Sequence, residues 1–327
     1  MINIISKSIL SKKVRGPKKV VLNLIKGLEK IGYPYVVNAK LDTCQRLWIH
    51  DDVSALKKIN SLSDDIKALV GPNLFINPEN ISTDIDLSKV IYIHPSDNVK
   101  KVWQKRGYNK SPIEVWPVGV DTEEFKPTET PKQHVLIYFK NREDKELKNV
   151  EEILKNKKID YKIIRYGKYK EKEYKEALSK SKYIIWIGCP ESQGLALEEA
   201  LSMNIPALVI DSGKIEYGVE LTSAPYFDER CGIKINDFGE FERALTLMES
   251  KYSYFKPREY ISENLNLEKQ ARDFINLYET HFGLTFSSGM TEKVTPKGSW
   301  RNGRLYYRFW YRMKECLKDF AAFFGKD

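Results

Sequence analysis

Cysteine and histidine are scarce in this sequence. Its four cysteines stand at positions 44, 189, 231 and 316 of 327 residues, so no two of them are close neighbours. That spacing argues against a structural zinc site and against a disulfide framework. The four histidines include no His-x-x-x-His pair. The composition therefore gives no indication of a metal site built from cysteine and histidine.

Long apolar runs are missing as well. No segment reaches the roughly 18 consecutive apolar residues that a membrane-spanning helix needs. The first residues, Met1 to Lys7, lack the long apolar stretch of a signal peptide. We therefore expect a cytoplasmic protein. A chain of 327 residues is long enough for two domains, each with a hydrophobic core of its own.

The net charge is clearly positive, at +9 for pH 7. An excess of this sign suits anionic partners such as nucleotides, phospholipid headgroups or nucleic acid. A lysine-rich surface in contact with solvent gives the same charge without any partner. Charge alone leaves these alternatives open.

Strand-like and helix-like segments alternate along the chain. Apolar runs such as Ile2–Ile5 and Val90–His94 are separated by helical stretches, and the first helix opens at Gly16-Pro17, where proline suits the first turn. The second part repeats the pattern with strands such as Val135–Phe139 and Tyr183–Ile187. Alternation of this kind indicates parallel βαβ units.

We therefore predict an α/β protein of two Rossmann-like domains that face each other across a cleft. The N-terminal domain covers residues 1–120 and the second domain 132–261, with a hinge at 121–131 that is rich in proline and threonine. A terminal helix follows at 262–282, then a polar linker at 283–299. Ligands of such sheets bind beyond the carboxyl ends of the strands, so the loops after the strands are the candidate sites.

The strongest of these loops is Cys189-Pro-Glu-Ser-Gln-Gly-Leu-Ala-Leu-Glu-Glu-Ala200, which follows a strand and runs into a helix. Residues Gln193, Gly194 and Leu195 would present free backbone N–H groups there, which suits a phosphate or a sugar hydroxyl. Two carboxylates, Glu191 before the helix and Glu199 inside it, can accept hydrogen bonds from two separate diols of one ligand. An ordinary helix start, capped by Glu191 or Ser192, is the alternative.

The same loop resembles the donor-site motif of retaining GT-B glycosyltransferases of family 4. That motif holds two glutamates eight positions apart in a Glu-Ser-x-Gly-Leu context, and a proline opens the next strand. The matching positions here are Glu191, Ser192, Gly194, Leu195, Glu199, Ala200 and Pro206. The resemblance implies the GT-B fold and hexose transfer from a nucleoside-diphosphate sugar, with Glu191 on the donor sugar as a catalytic residue and Glu199 on the ribose. Backbone amides near Gly194 would contact sugar and phosphate.

Two further segments resemble the same family. One is Pro117-Val-Gly-Val-Asp-Thr-Glu-Glu-Phe-Lys-Pro127, which matches the interdomain stretch, although Val118 stands where the family usually has asparagine. The other is Ile91-Tyr-Ile-His-Pro-Ser96, which is similar to a strand that ends beside the cleft. His94 and Ser96 are therefore candidate cleft residues, and a purely structural histidine is the alternative for His94.

A basic loop follows the first strand of the second domain. Family members carry an arginine and a lysine there, which clamp the donor diphosphate through charge-assisted bonds. Arg142 fits the arginine position and is the second candidate catalytic residue, while its partner stays open among Lys140, Lys145 and Lys148. A solvated basic loop is the alternative.

Smaller loops complete the predicted site. Gly167 and Tyr169 lie where family members contact the nucleotide base, although Tyr169 could be an ordinary surface aromatic. Gly16 occupies the position of the family's glycine-rich first loop, and the turn Gly71-Pro-Asn73 is expected to face the cleft on the acceptor side. The nucleotide base cannot be read from these residues.

No metal or other cofactor is expected. Basic residues and helix N-termini neutralise the departing diphosphate in this family, and the nucleotide sugar is a substrate. The segment Asp84-Ile-Asp86 has the Asp-x-Asp form of the other large glycosyltransferase fold, but it lies in a polar stretch without supporting context. We interpret it as a coincidence.

The last segment, 300–327, is predicted to form a basic amphipathic helix. At about 100° per residue its arginines, such as Arg304 and Arg308, fall opposite an apolar side that includes Leu305, Phe309 and Phe320. These are the features of an interfacial membrane helix, so residues 300–324 are expected to lie on a membrane surface, where a lipid-linked acceptor would be found. Packing of this helix against the N-terminal domain is the alternative.

The sequence thus favours a retaining glycosyltransferase of hexosyltransferase type that acts on a glycan, glycolipid or lipid-linked acceptor. A GT-B nucleotide-sugar epimerase is the alternative within the same fold. A basic nucleic-acid-binding protein would need a basic stripe with interleaved aromatics, which only the tail approaches, so no nucleic-acid partner is expected.

Overall fold

A computed structural model describes residues 1–12 and 15–284. Two sheets lie within them, one of six strands and one of five, together with a short two-stranded hairpin. The predicted helix over 300–327 and nearly all of the linker at 283–299 lie outside the described residues. Among the helices of the described part, none is long and apolar enough to cross a membrane.

The N-terminal lobe is built on the six-stranded sheet. Its elements are, in chain order, β1 (Ile2–Ile5), α1 (Gly16–Lys30), β2 (Tyr35–Val37), β3 (Arg46–Ile49), α2 (Val53–Leu56), β4 (Lys67–Val70), β5 (Val90–His94), α3 (Asp97–Lys105) and β6 (Ile113–Val115). The spatial order is β2-β1-β3-β4-β5-β6, and every pairing is parallel. The strand order reverses between β1 and β3, which makes their carboxyl ends the crevice of this sheet.

The C-terminal lobe is built on the five-stranded sheet. Its elements are β7 (His134–Lys140), α4 (Asp144–Asn156), β8 (Tyr161–Arg165), α5 (Glu171–Ser179), β9 (Ser181–Gly188), α6 (Leu195–Ser202), β10 (Ala207–Ile210), the hairpin β11 (Ile215–Glu216) and β12 (Val219–Glu220), β13 (Gly232–Ile235), α7 (Phe241–Lys251) and α8 (Pro257–Asn264). The last described helix, α9 (Leu267–Phe282), follows them along the chain. The sheet order is β13-β10-β9-β7-β8, again parallel throughout. Here the order reverses between β7 and β9.

Apolar side chains cover both faces of both sheets. In the N-terminal lobe, one face packs Ile4 and Trp48 against α1 and α9, and the other packs Ile49 and Tyr92 around Trp103. Strands buried on both faces read as nearly continuous apolar runs, which is why β1 and β5 were recognisable in the sequence. The prediction of two Rossmann-like α/β lobes is confirmed.

The chain returns to the N-terminal lobe at its last described helix. Ala271, Phe274 and Tyr278 of α9 belong to the N-terminal core, and α9 packs on α1 so closely that a Cβ atom at Gly27 would lie 2.5 Å from the carbonyl oxygen of Leu267. Glycine at position 27 is therefore needed for this contact.

The prediction of one continuous helix over 262–282 is wrong. The region forms the end of α8, a break at Leu265 and Asn266, and then α9. The side chain of Asn266 accepts a hydrogen bond from the backbone N–H of Lys269 at 2.7 Å and so caps a new helix. At the same break, the carbonyl of Leu265 accepts a bond from the N–H of Val120 at 2.7 Å. The break thus joins the interdomain segment to the end of the chain.

Candidate active site

Two chain segments meet at the crevice of the C-terminal sheet. Strand β7 ends at Lys140 and its neighbour β9 ends at Gly188, and these two residues pair directly. The loop that follows β9 runs from Cys189 to Gly194, where α6 begins. Because the strand order reverses between β7 and β9, this is the point where an open parallel sheet binds its ligand.

An ion pair occupies this crevice. Lys140 Nζ donates to Glu191 Oε1 at 2.5 Å, and the ammonium lies 4.4 Å from the centre of the Tyr166 ring. Both partners are largely buried, with side-chain exposures of 16% and 12%. Burial raises the pKa of the Glu191 carboxyl, and the nearby Lys140 opposes that rise. Of the basic residues predicted after β7, Lys140 is the one that the structure brings to Glu191.

The start of α6 is shaped by Gly194. Its φ angle is +97°, a left-handed conformation that side chains with a Cβ atom rarely adopt. The first backbone N–H groups of the helix, at Leu195 and Ala196, follow this turn. No earlier carbonyl of the helix can accept a bond from them. Ser192, in the loop before the turn, is exposed. Anion binding at this helix start stays a prediction.

The backbone N–H of Gln193 was expected to face a ligand, whereas its side chain forms hydrogen bonds within the protein. Its amide accepts a bond from the N–H of Val118 at 3.1 Å and donates to the carbonyl of Val118 at 2.8 Å. It also donates to Glu198 Oε2 at 3.0 Å. Burial raises the pKa of the Glu198 carboxyl well above its usual value, and the bond from Gln193 opposes that rise. Gln193 thus ties the start of α6 to the segment between the lobes.

Glu199 meets a cation from the opposite lobe. Its carboxylate pairs with Lys19 in the first turn of α1, and Lys19 Nζ also lies 2.9 Å from Glu171 Oε2 at the start of α5. Burial raises the pKa of Glu199 to about 7, while Lys19 acts to lower it. The sequence did not single out Lys19, and only its position after the predicted first loop could have drawn attention to it.

Arg142 is held by the ends of two strands. Its Nη1 donates to the carbonyl oxygens of Gly188 at 3.0 Å and Ile210 at 3.2 Å, and its Nε donates to Glu146 Oε1 at 2.9 Å. These contacts fix the carboxyl ends of β9 and β10 next to the crevice. The guanidinium therefore supports the loop that carries Glu191 and is itself occupied by protein acceptors.

The remaining residues predicted for the donor lie around this centre. Lys145 is exposed in the first turn of α4, and Gly167 sits in the turn after β8 with a φ angle of +75°. Tyr169 is half-buried, and its hydroxyl lies 3.0 Å from that of Tyr138. Tyr138 in turn stacks on Trp186 with ring centres 4.2 Å apart. Tyr169 thus belongs to an aromatic cluster beneath the site, not to the free surface.

On the N-terminal side, the predicted turn residues gather around a histidine that the sequence did not highlight. His50 is buried at the end of β3, 3.0 Å from the carbonyl oxygen of Pro17 and 3.1 Å from Asn73 Nδ2. Burial lowers the pKa of His50 to about 4, so the ring is neutral. Gly71, at the end of β4, and Gly16, the first residue of α1, flank this group. These residues meet at the crevice of the N-terminal sheet.

His94 and Ser96 are buried at the end of β5. The His94 ring packs against Tyr92 and Trp103, with ring centres 4.9 and 4.3 Å away, and burial lowers its pKa to about 3. In the described part of the chain, neither His94 Nε2 nor Ser96 Oγ has a hydrogen-bond partner. The two side chains are thus neutral and enclosed, and the structure does not bring them to Glu191.

No protein-family model and no curated protein matches this sequence. Among solved structures, sucrose-phosphate synthase from Thermosynechococcus elongatus is similar, with a TM-score of 0.57, 12% identity, and coverage of 87% of this chain and 99% of that one. The lipopolysaccharide outer core galactosyltransferase WaaB in its apo form has a TM-score of 0.55 and 14% identity, with 85% and 99% covered.

The fold is GT-B. A further neighbour, HepE from Anabaena, solved in complex with UDP-glucose, has a TM-score of 0.54 and 10% identity over 85% of this chain and 99% of its own. Identities this low show a shared fold, and a fold hosts many activities. The activity therefore has to be argued from the GT-B cleft itself, from Lys140, Glu191, Glu199 and the start of α6.

Proposed function

We propose that this protein is a retaining glycosyltransferase that needs no metal and moves a hexose from a nucleoside-diphosphate sugar to a glycan, glycolipid or lipid-linked acceptor. One observation carries the proposal. Two largely buried glutamates, Glu191 and Glu199, lie before and within the start of α6 at a GT-B crevice, and each is paired with a lysine. Charges are rarely buried without a purpose, because desolvating them is costly.

Glu199 is suited to the ribose of the donor. Vicinal hydroxyls are paired hydrogen-bond donors, and a carboxylate offers two oxygens to accept both of them. Bonds to a charged acceptor are stronger than bonds between neutral groups. Tyr169 of the aromatic cluster follows the turn at Gly167 by two residues and is close enough to Glu199 for this carboxylate to act on its pKa. A nucleoside placed here would have its ribose on Glu199 and its base near that turn.

The diphosphate has a cationic and a dipolar partner at the same place. Lys140 contributes a charge at the end of β7, and the first-turn amides of α6 contribute the positive end of a helix. Positive groups that are already in place stabilise the charge that develops on a departing diphosphate. In this assignment Lys140 performs the phosphate role, while Arg142 holds the loop in shape.

Glu191 completes the site on the sugar side. It is paired with Lys140, so the residue that orients the sugar is linked to the residue that receives the leaving group. Retention is inferred from the resemblance of the Glu191–Ala200 segment to the family motif. In that mechanism the departing phosphate guides the acceptor hydroxyl to the same face of the sugar from which the phosphate departs.

Two further proposals concern location. The lack of a long apolar run supports a cytoplasmic protein, and the amphipathic pattern of residues 300–324 supports peripheral binding to a membrane. Sedimentation of the full chain and of a chain ending at residue 299 with anionic lipid vesicles tests the second point. Loss of vesicle binding on truncation is expected, and equal binding would contradict it.

The test of the activity is a panel of nucleotide sugars that covers the uridine, adenosine, guanosine and thymidine diphosphate classes. A ligand at 100 times its Kd stabilises the folded state by about 2.7 kcal/mol, which raises Tm by several degrees. We expect one class to raise Tm and to be hydrolysed slowly to free sugar and nucleotide. Stabilisation by no member of the panel contradicts the proposal, and conversion to an epimeric nucleotide sugar without release would indicate an epimerase.

A further inference from the structure

The first turn of α1 carries two adjacent lysines, Lys18 and Lys19, and no acidic residue. The N-terminus of a helix is the positive end of its dipole, so a lysine there gains no stabilisation from its own helix. Lys19 is nevertheless largely buried, with a side-chain exposure of 16%. Its stabilising partners must come from elsewhere in the molecule.

Those partners lie on the other lobe. The ammonium of Lys19 pairs with Glu199 on α6 and with Glu171 on α5, and it lies 5.0 Å from the centre of the Phe125 ring. Glu199 has a side-chain exposure of only 6%. The contact therefore places a cation of the N-terminal lobe on the carboxylate that we assign to the donor ribose.

The groups around Glu199 make Lys19 electrostatically distinctive. The charged groups that act directly on this carboxyl are Lys19 on α1, Glu171 on α5 and Glu124 after β6, and its charge is felt by Tyr169, Tyr174 and Glu198. Two further cations belong to the elements around α6: Arg258 on α8 donates to the carbonyls of Phe125 and Ser202, and Lys175 on α5 lies 5.7 Å from the Phe125 ring. Among the groups that act directly on Glu199, Lys19 is the cation. Without Lys19, burial and like charges would favour a protonated Glu199.

We propose that Lys19 is a positioning residue for the donor ribose, acting from the opposite lobe to hold Glu199 as a charged and oriented hydrogen-bond acceptor. The inference rests on the proposed function and deepens it. Lobe closure brings Lys19 to Glu199, and a charged Glu199 binds the ribose hydroxyls. Because coupling between two equilibria is reciprocal, ribose binding also favours the closed arrangement of the lobes.

The test compares Lys19→Met with Lys30→Met. Lys30 is a matched control, because it lies on the same helix and also forms an ion pair, at 2.7 Å with Glu268 on α9, away from the carboxylates of the donor site. Each variant is titrated calorimetrically with uridine diphosphate and with 2′-deoxyuridine diphosphate, and with the adenosine pair in parallel. The two nucleotides of a pair differ only in the 2′-hydroxyl. The ratio of their affinities therefore reports the contact with the ribose, because protonation of the phosphates affects both affinities equally.

We expect the wild type and Lys30→Met to prefer the ribonucleotide to the same extent. Loss of a neighbouring cation raises a carboxyl pKa by roughly 1–3 pH units. The pKa of Glu199 is already raised to about 7 by burial. At pH 7 the preference of Lys19→Met for the ribonucleotide should therefore fall by at least about fivefold. It should recover towards pH 9, and Lys19→Arg, which keeps the charge, should retain it.

An unchanged preference and an unchanged pH profile in Lys19→Met would overturn the inference while leaving the proposed function intact. Failure of the wild type to bind any of these nucleotides would instead overturn the proposed function, and the inference with it. Circular dichroism checks the fold of each variant. If Lys19→Met does not fold, Lys19→Gln removes the same charge with a more polar side chain, and the same two outcomes decide.

Discussion

Lys140 and Glu191 stand 51 positions apart in sequence, and their side chains meet at 2.5 Å between Nζ and Oε1. The contact joins the ends of β7 and β9, the strands between which the order of the C-terminal sheet reverses. It brings to one point the charge that we propose for the phosphate and the carboxylate that we propose for the sugar. Arg142, two residues further on, turns away to the carbonyls of Gly188 and Ile210.

Lys140→Met should therefore impair turnover strongly. Removing one preorganised group that stabilises a developing negative charge typically lowers kcat by about 10²–10³-fold. We expect a loss of that size in transfer or donor hydrolysis, together with a loss of stability of about 1–3 kcal/mol because the buried Glu191 carboxyl loses its partner. The exposed Lys148 on α4 provides a matched control, and Lys148→Met should behave as the wild type. Normal kcat in Lys140→Met would rule out its role at the phosphate.

Arg142→Met should have the opposite signature. Two carbonyls and the Glu146 carboxylate lose their donor, and each buried polar group left unpaired costs about 1–3 kcal/mol. Urea unfolding should show a loss of roughly 2–4 kcal/mol, with kcat reduced far less than in Lys140→Met. The reverse result, full stability with lost turnover, would restore Arg142 to the catalytic position that the sequence suggested.

Gln193→Leu should loosen the connection between the lobes. The variant removes the partner of the buried N–H and carbonyl of Val118 and of the Glu198 carboxyl. We expect the free energy of unfolding to fall by roughly 2–4 kcal/mol. Gln104→Leu, at an exposed position of α3, serves as the control. Equal stability of the two variants in urea would show that the Gln193 amide does not matter to the fold.

Donor affinity should rise with pH through neutrality. Burial raises the pKa of Glu199 to about 7, so the group is protonated below that pH and a full hydrogen-bond acceptor above it. Affinity should increase up to about tenfold per pH unit below 7 and level off above 7. A nucleotide sugar is the suitable ligand, because a terminal phosphate monoester itself titrates near pH 6. An affinity that is flat or falls between pH 6 and 8 would contradict this assignment.

The sequence was sufficient for the fold because its strands are buried on both faces. Continuous apolar runs marked β1 and β5 at the residues where the structure has them. Strand β6, strand β13 and the β11–β12 hairpin went unnoticed because a glutamate or lysine in each leaves no continuous apolar run. The break before α9 was missed because one of the bonds that hold it, from Val120 to Leu265, joins residues that are far apart in sequence.

The site residues also include some that the sequence could predict and some that it could not. Glu191, Gly194 and Glu199 could be found because one loop and the helix after it carry them in a fixed spacing. Lys19 could not be found, because its partners Glu171 and Glu199 are distant in sequence and only the meeting of the two lobes brings them together. The choice between Lys140 and Arg142 depended on side-chain direction at a strand end, which spacing does not determine.

The most direct test of the account is calorimetric titration of the stabilising nucleotide sugar into the wild type, Glu199→Gln and Glu198→Gln. Both glutamates are buried on the same turn of α6. Glu198 Oε2 accepts a bond from Gln193, and the side-chain carbonyl of a glutamine can accept the same bond, so the substitution there should change little. A hydrogen bond to a charged group is worth about 1.5–3 kcal/mol, or roughly ten- to a hundredfold in Kd. We predict a loss of that size for Glu199→Gln and wild-type affinity for Glu198→Gln. Equal affinities in all three proteins would show that the donor does not bind at Glu199.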